Sequence, residues 1–345
     1  MATYLHVVVF LWMCAVNLAR PSTTTDDNSL HFMVLGDWGG IPIYPYYTPD
    51  EVAVAKQMSI IAENINASFV MALGDNFYEN GVTDVNDKRF QDTYENVFKA
   101  KSLQIPWNVL AGNHDHYGNV TAQIAYTQKS KRWNFPSLYY TQKYTIPGSN
   151  ASVALVMIDT VTLCGNTHDN VLISIPPQGP ENPKHAEDQW AWIEKQLQDT
   201  IKDEYVIVAG HFPVWSIAEH GPTKCLVDRL KPLLEKYNVN AYFCGHDHNL
   251  QHLREPGSSV EYFVIGAAHI VENSTEHKKS VPKNSLQFYY AEESKLGGFA
   301  YVQERESELH FVFANGLDSK DIYHAIIKPR SFYSVRNTSM KSTQL

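Results

Sequence analysis

Short apolar runs, each closed by a glycine and a metal-capable side chain, organise this chain. Residues 30–35 lead to Gly36-Asp37, 69–73 to Gly74-Asp75, and 107–111 to Gly112-Asn113-His114. Residues 205–209 lead to Gly210-His211, and 241–244 to Gly245-His246-Asp247-His248. The runs are strand-length and rich in Val, Ile, Phe and Tyr. Helical spacing appears between them. Thr48-Pro49-Asp50-Glu51 supplies a capping residue, a proline at the first helical position and acids in the first turn, and Val54, Met58, Ile61 and Ile65 follow. Residues 87–98 and 187–197 also read as helices. Strands alternating with helices predict an α/β layered fold, with ligands gathered beyond the carboxyl ends of the strands. From residue 258 the pattern turns to strands, at 260–265, 286–290, 299–303 and 309–314, which read as a second sheet packed on the first. The Pro-, Gly- and Asn-rich stretch 165–183 is too long for a simple connection and predicts a functional or mobile loop. No repeat or linker divides the chain, so 30–330 reads as one domain.

The chain has 345 residues, and its hydrophobic fraction of 44% supports a sizeable core. A net charge of −9 argues against a nucleic-acid or anionic-membrane partner. An acidic protein that binds an anion needs concentrated local positive charge, and a metal centre supplies it compactly. The 15 histidines would raise the net charge steeply in mildly acidic solution. Residues 5–16 are almost wholly apolar and too short to span a bilayer comfortably. Residues 1–19 therefore read as a secretory signal, although the first residues carry no Lys or Arg, with cleavage expected near Ala15 or Ala19. No later stretch reads as a membrane span, and the C-terminus lacks a lipid-anchor tail. Cys14 would leave with the signal. Cys164 and Cys225 lie in polar, irregular surroundings and suit a disulfide, whereas Cys244 follows an apolar run and reads as a buried thiol. Asn66, Asn119, Asn150, Asn273 and Asn337 begin glycosylation sequons, of which only some are expected to carry glycan.

The strand ends bring Asp37, Asp75, Asn113, His211, His246 and His248 to one rim. Singly, an Asp after Gly is commonly a turn former or cap, and a lone His is commonly a surface or satisfied core residue. Six such groups in the same context are not accounted for that way. A mixed oxygen and nitrogen set suits iron, zinc or manganese rather than a sulfur site. His246 and His248, two apart, would point the same way in a regular strand but can reach two metals at a strand end. The pattern points to a two-metal centre, with ions about 3.5–4 Å apart clamping a phosphoryl group. Tyr78, three residues after Asp75, reads equally as a ligand of the same centre or as a packed aromatic.

Gly36-Asp37-Trp38-Gly39-Gly40, Gly74-Asp75-Asn76-Phe77-Tyr78, Gly112-Asn113-His114-Asp115, Gly210-His211 and Gly245-His246-Asp247-His248 resemble, in order, the five blocks of the calcineurin-like metallophosphoesterases. Tyr78, and Asp37-Trp38-Gly39 in place of Asp-x-His, resemble the purple acid phosphatases. Val214-Trp215-Ser216 and Leu250-Gln251 resemble the small, mammalian, tartrate-resistant kind. The similarity runs from about residue 31 to residue 301. It implies a four-layer α/β/β/α sandwich with two mixed sheets. It implies that Asp37, Tyr78 and His248 bind Fe(III), that Asp75 bridges, and that Asn113, His211 and His246 bind a divalent ion, Fe(II), Zn(II) or Mn(II). His114, and His220 in Glu219-His220-Gly221, would orient the ester and protonate the leaving group.

The implied protein is a secreted or lysosomal acid phosphatase acting on small phosphate esters or phosphorylated proteins, with no nucleic-acid partner and no membrane anchor. A processing protease acting on 165–183 is a further expectation. Ala267-Ala268-His269 departs from the family's small-residue stretch with Asn, which leaves substrate preference open. Two other readings stand beside this one. A metallophosphoesterase for diesters or pyrophosphates is disfavoured by Tyr78 and by the missing His in the first block. A non-catalytic glycoprotein on the same fold is disfavoured by the intact ligand set.

Overall fold

The computed structural model describes residues 29–330, apart from 171–172 and 306–307. The expected signal over 1–19, Cys14 and the sequon at Asn337 lie outside the described residues. In chain order the strands begin with β1 (His31–Leu35), β2 (Phe69–Ala72), β3 (Trp107–Val109), β4 (Trp133–Asn134), β5 (Tyr140–Thr145) and β6 (Ser152–Met157). Then come β7 (His168–Asn170), β8 (Ile173–Ile175), β9 (Tyr205–Ala209), β10 (Ala241–Cys244) and β11 (Leu250–Leu253). The last are β12 (Glu261–Ile265), β13 (Leu286–Tyr290), β14 (Gly298–Arg305), β15 (Glu308–Asn315) and β16 (Asp321–Ile327). The α-helices are α1 (Pro49–Ile65), α2 (Asn113–Tyr117), α3 (Val120–Tyr126), α4 (Thr160–Cys164), α5 (Pro183–Asp199) and α6 (Lys224–Lys236).

Among the described residues, two seven-stranded mixed sheets form, ordered β16-β15-β14-β1-β2-β3-β4 and β13-β11-β12-β10-β9-β6-β5. The first and last of the described strands thus share the first sheet, and strands from between them build the second. This corrects the reading of everything after residue 258 as a separate sheet. β1 is buried on both faces and β2 covers only one of its edges. The other edge must pair, and β14 fills it antiparallel, with Phe32 opposite Val302. Of the described strands after residue 258, β12 and β13 join the second sheet and β14, β15 and β16 join the first.

Period-two alternation explains why the middle strands read as unbroken apolar runs. Val153, Leu155 and Met157 of β6, with Tyr205, Ile207 and Ala209 of β9, face the first sheet in one core. Their neighbours Ala154, Val156, Val206 and Val208 pack on α5 and α6 in another, against Trp190, Ile193, Leu226 and Leu230. The layers therefore run helix, sheet, sheet, helix. The expected start of α1 is present: Thr48 Oγ1 accepts from Glu51 N–H at 3.1 Å, and Glu51 Oε2 accepts from Thr48 N–H at 3.3 Å. The helix expected over 87–98 is instead a wide π-turn over Phe90–Glu95 between turns. Phe90, Tyr94 and Phe98 are buried there, and the last two ring Trp38 at 5.6 Å each, directly behind Asp37.

The 165–183 segment is not wholly irregular. β7 and β8 pair as a small antiparallel hairpin, and Gly179 N–H donates to Cys164 O at 3.0 Å to close its base. Cys164 at the end of α4 is bonded to Cys225 at the start of α6, and Cys244 is a buried thiol. Among the described residues, no helix is long and apolar enough to cross a membrane. The disulfide closes a loop with a sequence separation of 61. In the chain-entropy account, replacing both cysteines by Ser lowers stability by about 4 kcal/mol, read as a lower denaturant midpoint. An unchanged midpoint would remove the bond from the account of stability.

Candidate metal centre

The carboxyl ends of β1, β2, β3, β9 and β10 meet where the two sheets face each other. Asp37, Asp75 and His246 turn there with φ of 55°, 49° and 73°. This is the left-handed region, strained for residues with a Cβ and found mainly where the surroundings over-determine it. Two glycines admit the carboxylates. A Cβ on Gly245 would lie 2.1 Å from Asp37 Oδ2, and one on Gly112 would lie 2.1 Å from Asp75 Oδ1. Bonds between neighbouring strand ends, and one across from the second sheet, hold the turns. His246 N–H donates to Asp37 Oδ2 at 2.8 Å, His114 N–H to Asp75 Oδ1 at 3.0 Å, and Asp37 N–H to Gly74 O at 3.1 Å.

All seven expected ligands gather at this point, with Asp75 in the middle. On one side, Tyr78 Oη lies 3.0 Å from Asp37 Oδ1, 3.1 Å from Asp75 Oδ2 and 3.1 Å from His248 Nε2. On the other, His211 Nε2 lies 3.2 Å from the same Asp75 oxygen and 2.8 Å from Asn113 Oδ1. Donor atoms of Asp75, His211 and His246 fall within 4.8 Å of one another. His211 Nδ1 faces Leu73 O at 2.9 Å. A carbonyl only accepts, so Nδ1 carries a proton and Nε2 is the nitrogen turned to the cluster.

Two carboxylates, an amide oxygen and an imidazole nitrogen thus converge, buried, with few protons to share. Such a group is costly by itself and favourable around cations. The oxygen-rich side suits a hard ion and the nitrogen-richer side a softer one, so the residues present fit two metal ions. The electrostatics carry the same tension. Burial pushes the Asp37 carboxyl up to about 7, against the pull of His211. Burial also raises Asp75, but His211 and His114 outweigh it and hold that carboxyl below its usual range. Burial lowers the His211 and His248 imidazoles, yet Asp75 and Asp37 beside the first, and Glu272 beside the second, push both up to about 9. Burial, with Asp37 and Asp75, drives the Tyr78 phenol well above its ordinary value.

Several supporting groups escaped the sequence. Glu272 Oε2 lies 3.0 Å from His248 Nδ1 and turns Nε2 toward Tyr78. Asp115 accepts from Gly112 N–H at 2.8 Å and from Gln123 Nε2 at 2.8 Å, bracing the Asn113 turn. Asp247 accepts from His220 N–H at 3.0 Å and from the Ser216 hydroxyl. Arg89 donates to Tyr78 O and Gly39 O. Asp115 and Asp247 sit inside the recognised blocks and could have been noticed, but nothing in the local pattern marks Glu272 or Arg89. His269, left open by the sequence, is buried against the Tyr78 ring. Of the two expected catalytic histidines, His114 lies beside the Tyr78 ring, with centroids 4.5 Å apart, and its Nδ1 faces Glu79 O at 2.6 Å. His220 stacks on His246 at 4.0 Å. A cavity of about 490 Å³ opens over His220 and His246, walled by Pro176, Gln178, Lys224 and His277. The 165–183 segment therefore borders the site, and Asn166 Nδ2 donates to Asn113 O at 3.3 Å.

The model of the calcineurin-like phosphoesterase family matches residues 30–250. Tartrate-resistant acid phosphatase type 5 of Oryctolagus cuniculus is 54% identical, over 81% of this chain and 86% of that protein. The Homo sapiens protein of that name is 51% identical, over 84% and 88%. The chain belongs to the calcineurin-like phosphoesterases, in the tartrate-resistant acid phosphatase group. Purple acid phosphatase 3 of Arabidopsis thaliana is a more distant relative, 31% identical over 86% of this chain and 76% of its own length. Among solved structures, a yellow lupin purple acid phosphatase has the same fold, with a TM-score of 0.62 at 15% identity, over 87% of this chain and 54% of that one. As a member of this group, the phosphoesterase is built around a dinuclear metal centre.

The two close-approach glycines give a direct test. Gly112→Ala places a methyl against Asp75, and a displacement of this kind at a reacting centre costs about 10²-fold in turnover. The far-UV circular dichroism should be unchanged. Full turnover in the folded variant would show that the carboxylate does not need this approach.

Proposed function

We propose that this phosphatase hydrolyses phosphate monoesters in mildly acidic solution, with Asp37, Tyr78 and His248 holding Fe(III). Asp75 is shared, and Asn113, His211 and His246 hold a divalent ion, Fe(II), Zn(II) or Mn(II). The observation that carries this reading is the position of one Asp75 oxygen, 3.1 Å from Tyr78 Oη and 3.2 Å from His211 Nε2. Bound together, two such ions supply Lewis acidity toward water and phosphate oxygens.

The remaining work falls to side chains. The Nδ1–H of His114 is committed to Glu79 O, so Nε2 is the nitrogen that meets an ester oxygen. His220, on the cavity wall, gives a proton to the leaving oxygen. The cavity takes the organic part of the ester, a small molecule or a phosphorylated side chain. The disulfide suits an oxidising, secretory or lysosomal compartment. A protease that cuts 165–183 would act on a cavity wall, since Pro176 and Gln178 belong to both.

Two experiments test this reading. A free tyrosine has a pKa of about 10, and burial raises Tyr78 further, so only a strongly charged ion makes it a phenolate. The iron-loaded protein should then absorb visible light by charge transfer, and Tyr78→Phe should bleach it with the fold intact. A colourless iron-loaded wild type refutes the Tyr78–iron bond. For catalysis, His220→Ala should lower turnover of esters with poor leaving groups by about 10²–10⁴-fold and of activated aryl esters much less. Equal loss on both would assign His220 to binding alone.

A further inference from the structure

His269 makes contact with each of the three residues on the Tyr78 side of the centre. Its ring lies against the Tyr78 ring, with centroids 4.0 Å apart and planes 22° from parallel. Its Nδ1 donates to the backbone carbonyl of Asp37 at 2.9 Å. Its ring also stands edge-on to His248, at 5.1 Å and 89°. The residue is fixed from behind: Thr48 Oγ1, at the head of α1, donates to His269 O at 2.6 Å. The same hydroxyl accepts from Glu51 N–H, so the start of α1 and the placing of His269 are one arrangement.

Each contact restrains something the site needs. Asp37 holds a left-handed backbone, and a donor on its carbonyl fixes the direction of that turn. Rotation of Tyr78 about its Cβ–Cγ axis leaves the oxygen in place but turns the ring plane and the oxygen's lone pairs, and the rings packed against it limit that turn. A stacked imidazole restrains that plane and touches the electron-rich face that a phenolate would present.

We propose that His269 is a positioning residue for the Tyr78 side of the centre, setting the plane and electronic surroundings of the tyrosine ligand through its stacked ring. This rests on the assignment of Tyr78 to iron. The test uses the visible band and iron content of the full-length, iron-loaded protein, with circular dichroism as the control for folding. His269→Asn keeps a donor near the Asp37 carbonyl and removes the stack. His269→Phe keeps the stack and removes the donor. The expected result is a displaced band maximum in the Asn variant and a maximum close to wild type in the Phe variant, at equal iron content. An Asn variant with the wild-type maximum overturns the proposal. Should the Asn variant lose iron, the Phe variant decides: retained iron with an unshifted band supports the stack, and loss of iron there as well overturns it. A wild type that holds iron without a visible band would instead sink the tyrosine assignment, an outcome distinct from failure of the His269 proposal.

Discussion

Asp37 and Asp75 are wholly buried carboxylates, one from each of two neighbouring strands, and among the described residues the cationic groups that act on them are the histidines His211, His248 and His114. Buried charge of this kind is tolerated only with close compensation. Backbone donors supply part of it, through His246 N–H from the facing sheet and His114 N–H from the neighbouring strand end. Histidines supply another part, and two metal ions complete it. The glycines that admit the carboxylates, the left-handed turns and the Glu272 carboxylate behind His248 all follow from this one requirement.

The fold makes the requirement affordable. Each sheet contributes strands that end at the same rim, and each is buried on both faces over the stretch before that rim. Three strained turns at Asp37, Asp75 and His246 cost of order 1–3 kcal/mol each. They are held by bonds crossing between sheets, such as His211 Nδ1 to Leu73 O, so relaxing one turn would disturb its neighbours. The Trp38 cluster behind Asp37 has the same effect, since its rings leave the backbone no room to retreat.

Much of this was legible in the sequence because strand ends are local. A run of apolar residues, a glycine and a ligand-type side chain occupy fewer than ten positions, and five such runs gave the five strands that carry the site. The start of α1 was equally local, in Thr48 to Glu51. What was not legible depends on pairing at long range. The return of β14 to the edge of β1 joins residues about 270 apart, and no local pattern distinguishes it from a strand of the second sheet. The hairpin inside 165–183 was hidden by the glycines and prolines around it. Glu272 and Arg89 act on the site from connecting segments, and their roles exist only once the chain has folded.

Metal content measured by mass spectrometry under native conditions, on the wild type beside Asp75→Asn, tests the central claim most directly. If one carboxylate serves two ions, the wild type carries two metal ions per chain, and the variant loses both. A wild type with a single ion, or an Asp75→Asn protein that keeps both, would contradict the shared carboxylate on which this account of the site depends.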